Sequence, residues 1–277
     1  MSTTTMPTRA GGDLQGTLRR TWTLAWVLAV TEWKLRFYGS FLGYLWSLAR
    51  PFALFGVIYL VFSTFAKLGD DVPHYPVYIL FALVLFQFFA ECTGNGLSSL
   101  VDREHLLRKV RFPRLVIPLA ITLTSVFNVL MTLAAVMVFA VANGVYPRWS
   151  WLQLPLLLAI LIVLSLGIAM LLSALFVRYR DIAPIWEVIS QALFYASPVL
   201  YVTTMVPESF QHAYLASPIA ALFAQMRHAI IDPTAPSAAE AIGGADRLLI
   251  PLGIVVIAFA LGWWVFRREA PRIAENL

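Results

Sequence analysis

Six apolar stretches, at 43–66, 76–98, 115–142, 154–177, 184–202 and 248–266, dictate what this chain can fold into. Each reaches or nearly reaches the ~20 residues that a helix needs to cross ~30 Å of hydrocarbon at ~1.5 Å per residue. Lipid offers a backbone N–H or C=O no partner, so a run of this length and apolarity must satisfy its own backbone as a helix. The pattern therefore predicts an all-α integral membrane fold with six transmembrane helices. Composition agrees: 13% of residues are charged, against about 25% in soluble domains, and the mean hydropathy is +0.78. The spans use most of the 277 residues, which leaves no room for a soluble catalytic domain of ~100 residues.

Residues 1–20 lack an uninterrupted apolar run, so no cleavable signal peptide is expected and the first span acts as the insertion signal. One domain is expected. Residues 1–40 form a cytoplasmic N-terminal segment, 41–268 the membrane domain and 269–277 a cytoplasmic tail. The single cysteine, Cys92, falls inside the second span and reads as a small buried hydrophobe.

Basic residues set the orientation. Six crossings put the N-terminus, the loops after spans two and four and the C-terminus on one side. Only Lys67, Arg148, Arg227 and Arg247, of 20 Lys and Arg residues, fall on the other. By the positive-inside rule both termini are cytoplasmic. The net charge of +5 is met by anionic lipid headgroups, so nucleic acid is not expected as a partner. The apolar run 213–231 contains Pro218, Gln225, Arg227 and His228. A seventh crossing there would throw Arg267, Arg268 and Arg272 outside. It reads instead as part of a short external re-entrant or helical segment between spans five and six, sheltered by protein.

Ahead of the first span, Leu18, Trp22, Trp26, Val30, Trp33 and Phe37 recur every three or four residues along one helical stripe. The uncharged part of this helix is too short to span. Tryptophan on one side and basic residues on the other predict an amphipathic helix in the cytoplasmic interface. It serves either as an anchor or as a connector to the first span, with Trp22, Trp26, Trp33 and Arg36 as its marker residues.

An ionisable group near the bilayer centre costs at least ~2.5 kcal/mol and marks a proton relay or catalytic centre. Within the spans only Glu91 and Glu187 qualify, and both lie toward the cytoplasmic side, within reach of the interface or an interhelical partner. His74, His105, His212 and His228 show no metal-ligand spacing, and there is no G-x-x-x-x-G-K-[ST] phosphate loop. No metal site, catalytic residue or cofactor is expected on this chain, and energy for uphill transport must come from a partner. The surface to receive it is the segment 99–114, in which Arg103, Glu104, Arg108, Lys109 and Arg111 surround Leu106 and Leu107 as a short amphipathic helix stopped by Pro113.

In family terms the chain resembles the membrane subunits of type 2 ABC exporters, in particular those that export bacterial cell-surface polysaccharides. The likeness starts at residues 34–46, KLRFYGSFLGYLW, closed by Pro51, similar to the family's R-Y-x-x-S-x-L-G-x-x-W-x-x-x-x-P with Phe37 inserted between Arg36 and Tyr38. It continues at 106–113 with Pro118, at 178–182 (RYRDI) and at 197–201 (SPVLY). Ser217-Pro218 stands where many relatives have Asn-Pro ahead of an arginine, here Arg227. The resemblance implies a pore formed by two copies of this chain, bound to two copies of an ABC ATP-binding subunit that carries the ATP and Mg. The cargo it implies is a polyprenyl-linked glycan. It makes the N-terminal helix and the 99–114 segment the coupling elements, with Arg178, Arg180 and Asp181 nearby. Tyr44, Trp46, Phe86, Phe89, Tyr195 and Tyr201 are candidates for the substrate path, because aromatic rings pack on sugar faces; helix packing or a membrane belt are the other roles open to them.

Three other functions fit the residues. One is export of a drug or small lipid by the same architecture; another is a polytopic membrane glycosyltransferase or lipid-modifying enzyme, for which Asp70-Asp71 is the only adjacent acidic pair; the third is a non-catalytic assembly scaffold.

Overall fold

The computed structural model describes residues 14–37, 41–65, 67, 69, 72–103 and 113–269, and their regular structure is helical. In order these are α1 (Leu14–Phe37), α2 (Phe41–Tyr59, continued by a π-helical turn Leu60–Phe65), α3 (Tyr75–Asp102) and α4 (Val116–Ala142). There follow α5 (Gln153–Arg178, entered through a 3-10 turn Trp149–Leu152) and α6 (Ile182–Ala196). The remainder is α7 (Glu208–Leu215), α8 (Pro218–Met226, continued by a π-helical turn Arg227–Ile231), α9 (Ala238–Ile242) and α10 (Leu249–Glu269).

Among the described residues five helical stretches are long and apolar enough to cross a membrane: Trp46–Ser63, Tyr75–Asp102, Val116–Ala142, Trp149–Arg178 and Ala245–Glu269. They coincide with five of the six predicted spans. The sixth, predicted at 184–202, is a 15-residue helix that stops at Ala196. The reason is local: the ring of Pro198 disfavours helical geometry at the residue before it, and Ser197 is extended at φ −92°, ψ 154°.

Helix α3 is the hub. It begins behind His74, which turns the chain in the left-handed region at φ 52°, with Pro76 in the first turn where its missing N–H costs nothing. From Val77 to Phe89 every side chain except that of Gln87 is buried, because α2, α4, α5 and α6 all pack on it. Its far end buries Gly96 against Ala169 of α5, where an added Cβ would come within 2.6 Å of the alanine methyl.

The most extensive pairing is α5 with α10, and glycine sets it. A Cβ on Gly262 would stand 1.9 Å from the Gly167 carbonyl oxygen, and one on Gly167 would stand 2.6 Å from the Phe259 Cα. Lipid tails are as apolar as leucine, so helices in a bilayer associate by such close backbone approach rather than by hydrophobic burial. At its basic end α10 places Arg267 over the Trp263 ring at 5.5 Å and Arg268 over Trp264 at 5.5 Å.

Helix α1 lies against α4, yet the face it buries is not the tryptophan stripe. Thr21, Ala25 and Ala29, one turn apart, are its buried residues. Trp22 and Trp26 are 52% and 46% exposed, while Trp26 and Trp33 set their edges against Phe127 of α4 at 5.4 and 6.1 Å. Small residues let the backbones approach, so the large rings flank the contact.

Between α6 and α10 the chain is irregular and sheltered. Residues 197–200 are buried, and their carbonyls find partners on α3. The Tyr75 hydroxyl donates to Leu200 O at 2.6 Å, and the Tyr78 hydroxyl donates to the carbonyls of Pro198 and, at 3.1 Å, Tyr201. The Tyr201 hydroxyl reaches back to the last turn of α6 and receives a bond from Tyr214 at 3.1 Å. The run 213–231 is broken at Ser217-Pro218 into α7 and α8, so it forms no single long helix. Buried Arg227 pairs with Asp232 at 3.5 Å to close the π-helical turn. Ser237 caps α9, and its N–H and hydroxyl donate to Glu240, holding that carboxyl below its usual range.

These contacts predict that Gly262→Val destabilises the protein by about 3 kcal/mol or more through overpacking. Gly253→Ala, on the same helix with nothing within 4 Å, should be neutral. Thermal unfolding of both variants in detergent checks this; equal melting temperatures would show that the α5–α10 approach is not what holds α10.

Candidate functional site

Three neutral or acidic side chains, Gln87, Glu91 and Asn95, lie four residues apart along one face of the otherwise apolar α3. That spacing gathers the polar chemistry of the bundle. The Glu91 carboxylate accepts from the Arg36 guanidinium of α1 at 3.0 Å and from the Asn128 amide of α4 at 2.9 Å. The Asn128 carbonyl oxygen in turn accepts from the Trp33 indole at 3.1 Å. Three helices thus share one chain of hydrogen bonds, and Glu91 has the interhelical partners expected of an acid inside a span.

A second ion pair fastens the same helix one turn earlier. Arg103, just past the end of α3, donates to both Glu32 carboxylate oxygens at 2.6 and 2.7 Å, with a further bond from Nε at 3.0 Å. Fork-on-fork geometry of this kind is stronger and more directional than a single contact, and the pair is less exposed than Arg36–Glu91. Arg103, expected to face a partner, therefore spends its guanidinium on α1.

Two crevices open beside the polar face of α3. One, of about 480 Å³, is bounded by Arg36, Ser47, Arg50, Gln87, Glu91 and Asn128. The other, of about 610 Å³, runs between α2, α3 and α6, with Arg50, Leu54, Gln87, Trp186, Gln191 and Phe194 among its walls. Arg50 and Gln87 belong to both.

The candidate aromatic residues divide by environment. Trp46 is 69% and Tyr195 59% exposed. Phe86 and Phe89 are buried in the core, edge-on to Phe194 at 5.2 Å and tilted against Trp186 at 6.3 Å respectively, although Phe86 reaches the wall of the second crevice. Tyr201 is half-buried in the tyrosine network described above, and the side chain of Tyr44 lies outside the described residues. Of the coupling candidates, Glu104, Leu106, Leu107, Arg108, Lys109 and Arg111 also lie outside them. Arg178, Arg180 and Asp181 are exposed at the α5–α6 turn, where Arg178 stacks over Tyr179 at 5.3 Å and Arg180 over Phe176 at 5.0 Å.

Sequence reasoning fixed on ionisable residues within the spans and passed over Gln87, Asn95 and Asn128, and Glu32 on α1; Arg50 it counted only among the cations that set orientation. The signal for the α3 residues was present as polar side chains at i, i+4 and i+8 in an apolar span. Among the described residues no cluster of His, Cys, Asp and Glu could hold a metal ion.

Comparison with known proteins places this geometry. Residues 23–231 match the family described as ABC-2 type transporter. The chain is 29% identical over 252 residues to the O-antigen export system permease protein RfbA of Myxococcus xanthus, covering 90% of this chain and 94% of that one. It is 29% identical over 209 residues to the protein of the same name from Klebsiella pneumoniae, covering 75% and 80%. It is 22% identical over 206 residues to the polysialic acid transport protein KpsM of Escherichia coli, covering 74% and 80%. The match takes in α1 through the π-helical turn after α8, and the chain belongs to the ABC-2 type transporter membrane family.

Proposed function

We propose that this chain is the membrane subunit of an ATP-driven exporter of a lipid-linked polysaccharide, working as a pair of copies with two ATP-binding subunits in the bacterial inner membrane. The observation that carries the reading is its membership of the ABC-2 family together with relatives that are named O-antigen export permeases over nearly their whole length. Transport through a pore between two copies accounts for the crevice that α2, α3 and α6 leave open, with Trp46 and Tyr195 exposed on the two outer helices.

The same reading gives α6 a crossing. Its 15 residues rise about 22 Å, and the turn and bend at 197–201 that follow, in which the Val199 N–H bonds Ser197 O at 2.8 Å, carry the chain on toward the ~30 Å of a full crossing. Their carbonyls, bonded to Tyr75 and Tyr78, need no water there. Six crossings then place α1 and the basic end of α10 together at the cytoplasmic face, with α7, α8 and α9 outside. Reagents that cannot cross the membrane should label Thr204→Cys and Tyr146→Cys from outside intact cells, in a Cys92→Ala background, and should not reach Tyr179→Cys. Labelling of Thr204→Cys only from the inner side would remove α6 from the crossings.

Force from the ATP-binding subunits enters through α1 and the 99–114 segment, which Arg103 ties together. Arg103→Glu should lower coupled export about tenfold or more, the loss expected when like charges replace a partly buried pair. The swap Glu32→Arg with Arg103→Glu should recover most of it. Export measured in membrane vesicles, with assembly of the complex as control, decides the matter; a swap no better than the single variant would leave the pair without a coupling role.

Energy is supplied by the partner. Vesicles holding this chain and an ATP-binding subunit with its hydrolytic residue disabled should export no glycan, whether or not a proton gradient is imposed. Glu91→Gln should retain ATP-dependent export, because a glutamine oxygen still accepts from Asn128 and the partly exposed Arg36 pair contributes only about 0–1 kcal/mol. Gradient-driven export without ATP hydrolysis would overturn this energy source.

A further inference from the structure

Three helices converge on an apolar groove that shares no residue with the two crevices beside α3. Helix α5 presents Leu156 and Ile160, α8 presents Pro218 and Leu222, and α10 presents Leu252 and Val255. Each pair is three or four residues apart, so each helix turns one face to the same space. The groove holds about 240 Å³, and no charged side chain lines it. Amides close the end where α5 begins: Gln225 Nε2 donates to Gln153 Oε1 at 2.8 Å, and the Ala238 N–H donates to Gln225 Oε1 at 3.0 Å. The amide nitrogen of Gln153 has no partner among the described residues and is left to donate at that end.

Position along the spans says what faces this groove. Helices α5 and α10 carry basic residues in their last turns, Arg178 and Arg267, and the stretches Trp149–Arg178 and Ala245–Glu269 are long and apolar enough to cross a membrane. Counted back from those arginines at ~1.5 Å per residue, Leu252 stands about 22 Å and Ile160 about 27 Å along the axis, within the ~30 Å of hydrocarbon, while Gln153 stands about 37 Å along it, at the headgroup layer. The lips are open: Leu156 is 62% and Leu252 42% exposed. The same exposed apolar surface runs on along α10 through Val256 and Ile257. Lipid chains cover such a surface in a bilayer, and the walls of a recess in it keep their dispersion contacts only if a chain enters.

We propose that the groove of α5, α8 and α10 is a binding site for one acyl chain of a bilayer phospholipid, with the Gln153 amide donating to the ester carbonyl at the head of that chain. Three walls surround the seated chain, where a plain helix surface offers one. A phospholipid matches the site better than the polyprenyl carrier of the proposed cargo, because an ester carbonyl accepts from an amide and a polyprenyl chain has no such acceptor. The seated chain completes the packing between α8 and α10 and so holds the irregular segment before α10 against the bundle. The inference needs α5 and α10 to cross the membrane and is independent of what the protein exports.

The complex of this chain with its ATP-binding subunit is placed in phosphatidylethanolamine nanodiscs that contain a small fraction of phosphatidylcholine with a diazirine in one acyl chain. After irradiation, lipid adducts are mapped by peptide mass spectrometry. Adducts at 218–222 and 252–255 should exceed those at Ile257, 65% exposed on the same helix, by about threefold, since three walls meet the chain instead of one. Leu222→Trp fills the groove and should lower its adducts about fivefold while leaving Ile257 unchanged. Leu156→Trp, at the exposed lip, should act in the same direction and serves where Leu222→Trp fails to assemble. Unlabelled phosphatidylethanolamine and phosphatidylglycerol should compete equally, because the walls are uncharged. Adducts no more frequent in the groove than at Ile257, or unchanged in both variants, leave only passing lipid and overturn the site. Polyprenyl phosphate that removes the groove adducts at a mole fraction where phospholipid does not would assign the groove to the carrier and overturn the proposal. Cross-linking of two copies through Leu252→Cys, with the probe excluded, would assign it to a second copy and overturn it as well.

Discussion

Close approach of helix backbones is the interaction on which this bundle depends. In water, burying leucine against leucine would hold α5 to α10, but in lipid the same side chains are equally at home outside. What lipid cannot replace is the dispersion contact of two backbones brought together at Gly167 and Gly262. The same economy recurs where α3 meets α5 at Gly96 and Ala169, and where α1 meets α4 through Thr21, Ala25 and Ala29. Small residues thus mark the contacts, and large aromatic ones sit around them.

Polar bonds then do what packing cannot, which is to fix direction. Toward one end of α3, the Tyr75 and Tyr78 hydroxyls donate to the carbonyls of a chain segment that has left helical geometry. Toward the other end, Glu91 and Arg103 bind α1 through charged, oriented contacts. Both sets use α3 as their base, the helix most completely enclosed by its neighbours. A displacement of α1 therefore has to move through α3 and α4 or break several bonds at once. Helix α1 is tied by ion pairs whose strength water can moderate, since Arg36 and Glu91 are partly exposed.

Much of this was legible in the sequence because the bilayer imposes a length and a period. The second, third, fourth and sixth spans were placed within a few residues of their helices, and the run 213–231 was kept out of the spans by the balance of basic residues, although its break at Ser217-Pro218 was not foreseen. The fifth span was misjudged in extent because apolar composition continues through Ser197-Pro198-Val199-Leu200 while the backbone does not. Hydropathy measures what lipid will accept; Pro198 decides what a helix will. The amphipathic stripe of α1 was visible, yet its buried face was not, since tryptophan catches the eye and alanine makes the contact. The polar face of α3 was half seen, with Glu91 noticed and Gln87 and Asn95 missed, because an uncharged amide raises no alarm in a scan for ionisable groups. The partner of Arg103 could not be read at all: Glu32 is 71 residues away in the chain, and no local spacing announces it.

Arg50 and Arg227 show how these levels combine. From sequence each counts only as one more cation in the tally of the two sides. The fold separates them: Arg50 is exposed at the rim of two crevices beside Gln87 and Ala90, whereas Arg227 is buried, reaches Asp232 at 3.5 Å with one nitrogen and leaves Nε and Nη1 without a hydrogen-bond partner among the described residues. Burial, and not position along an apolar run, decides which guanidinium carries a cost.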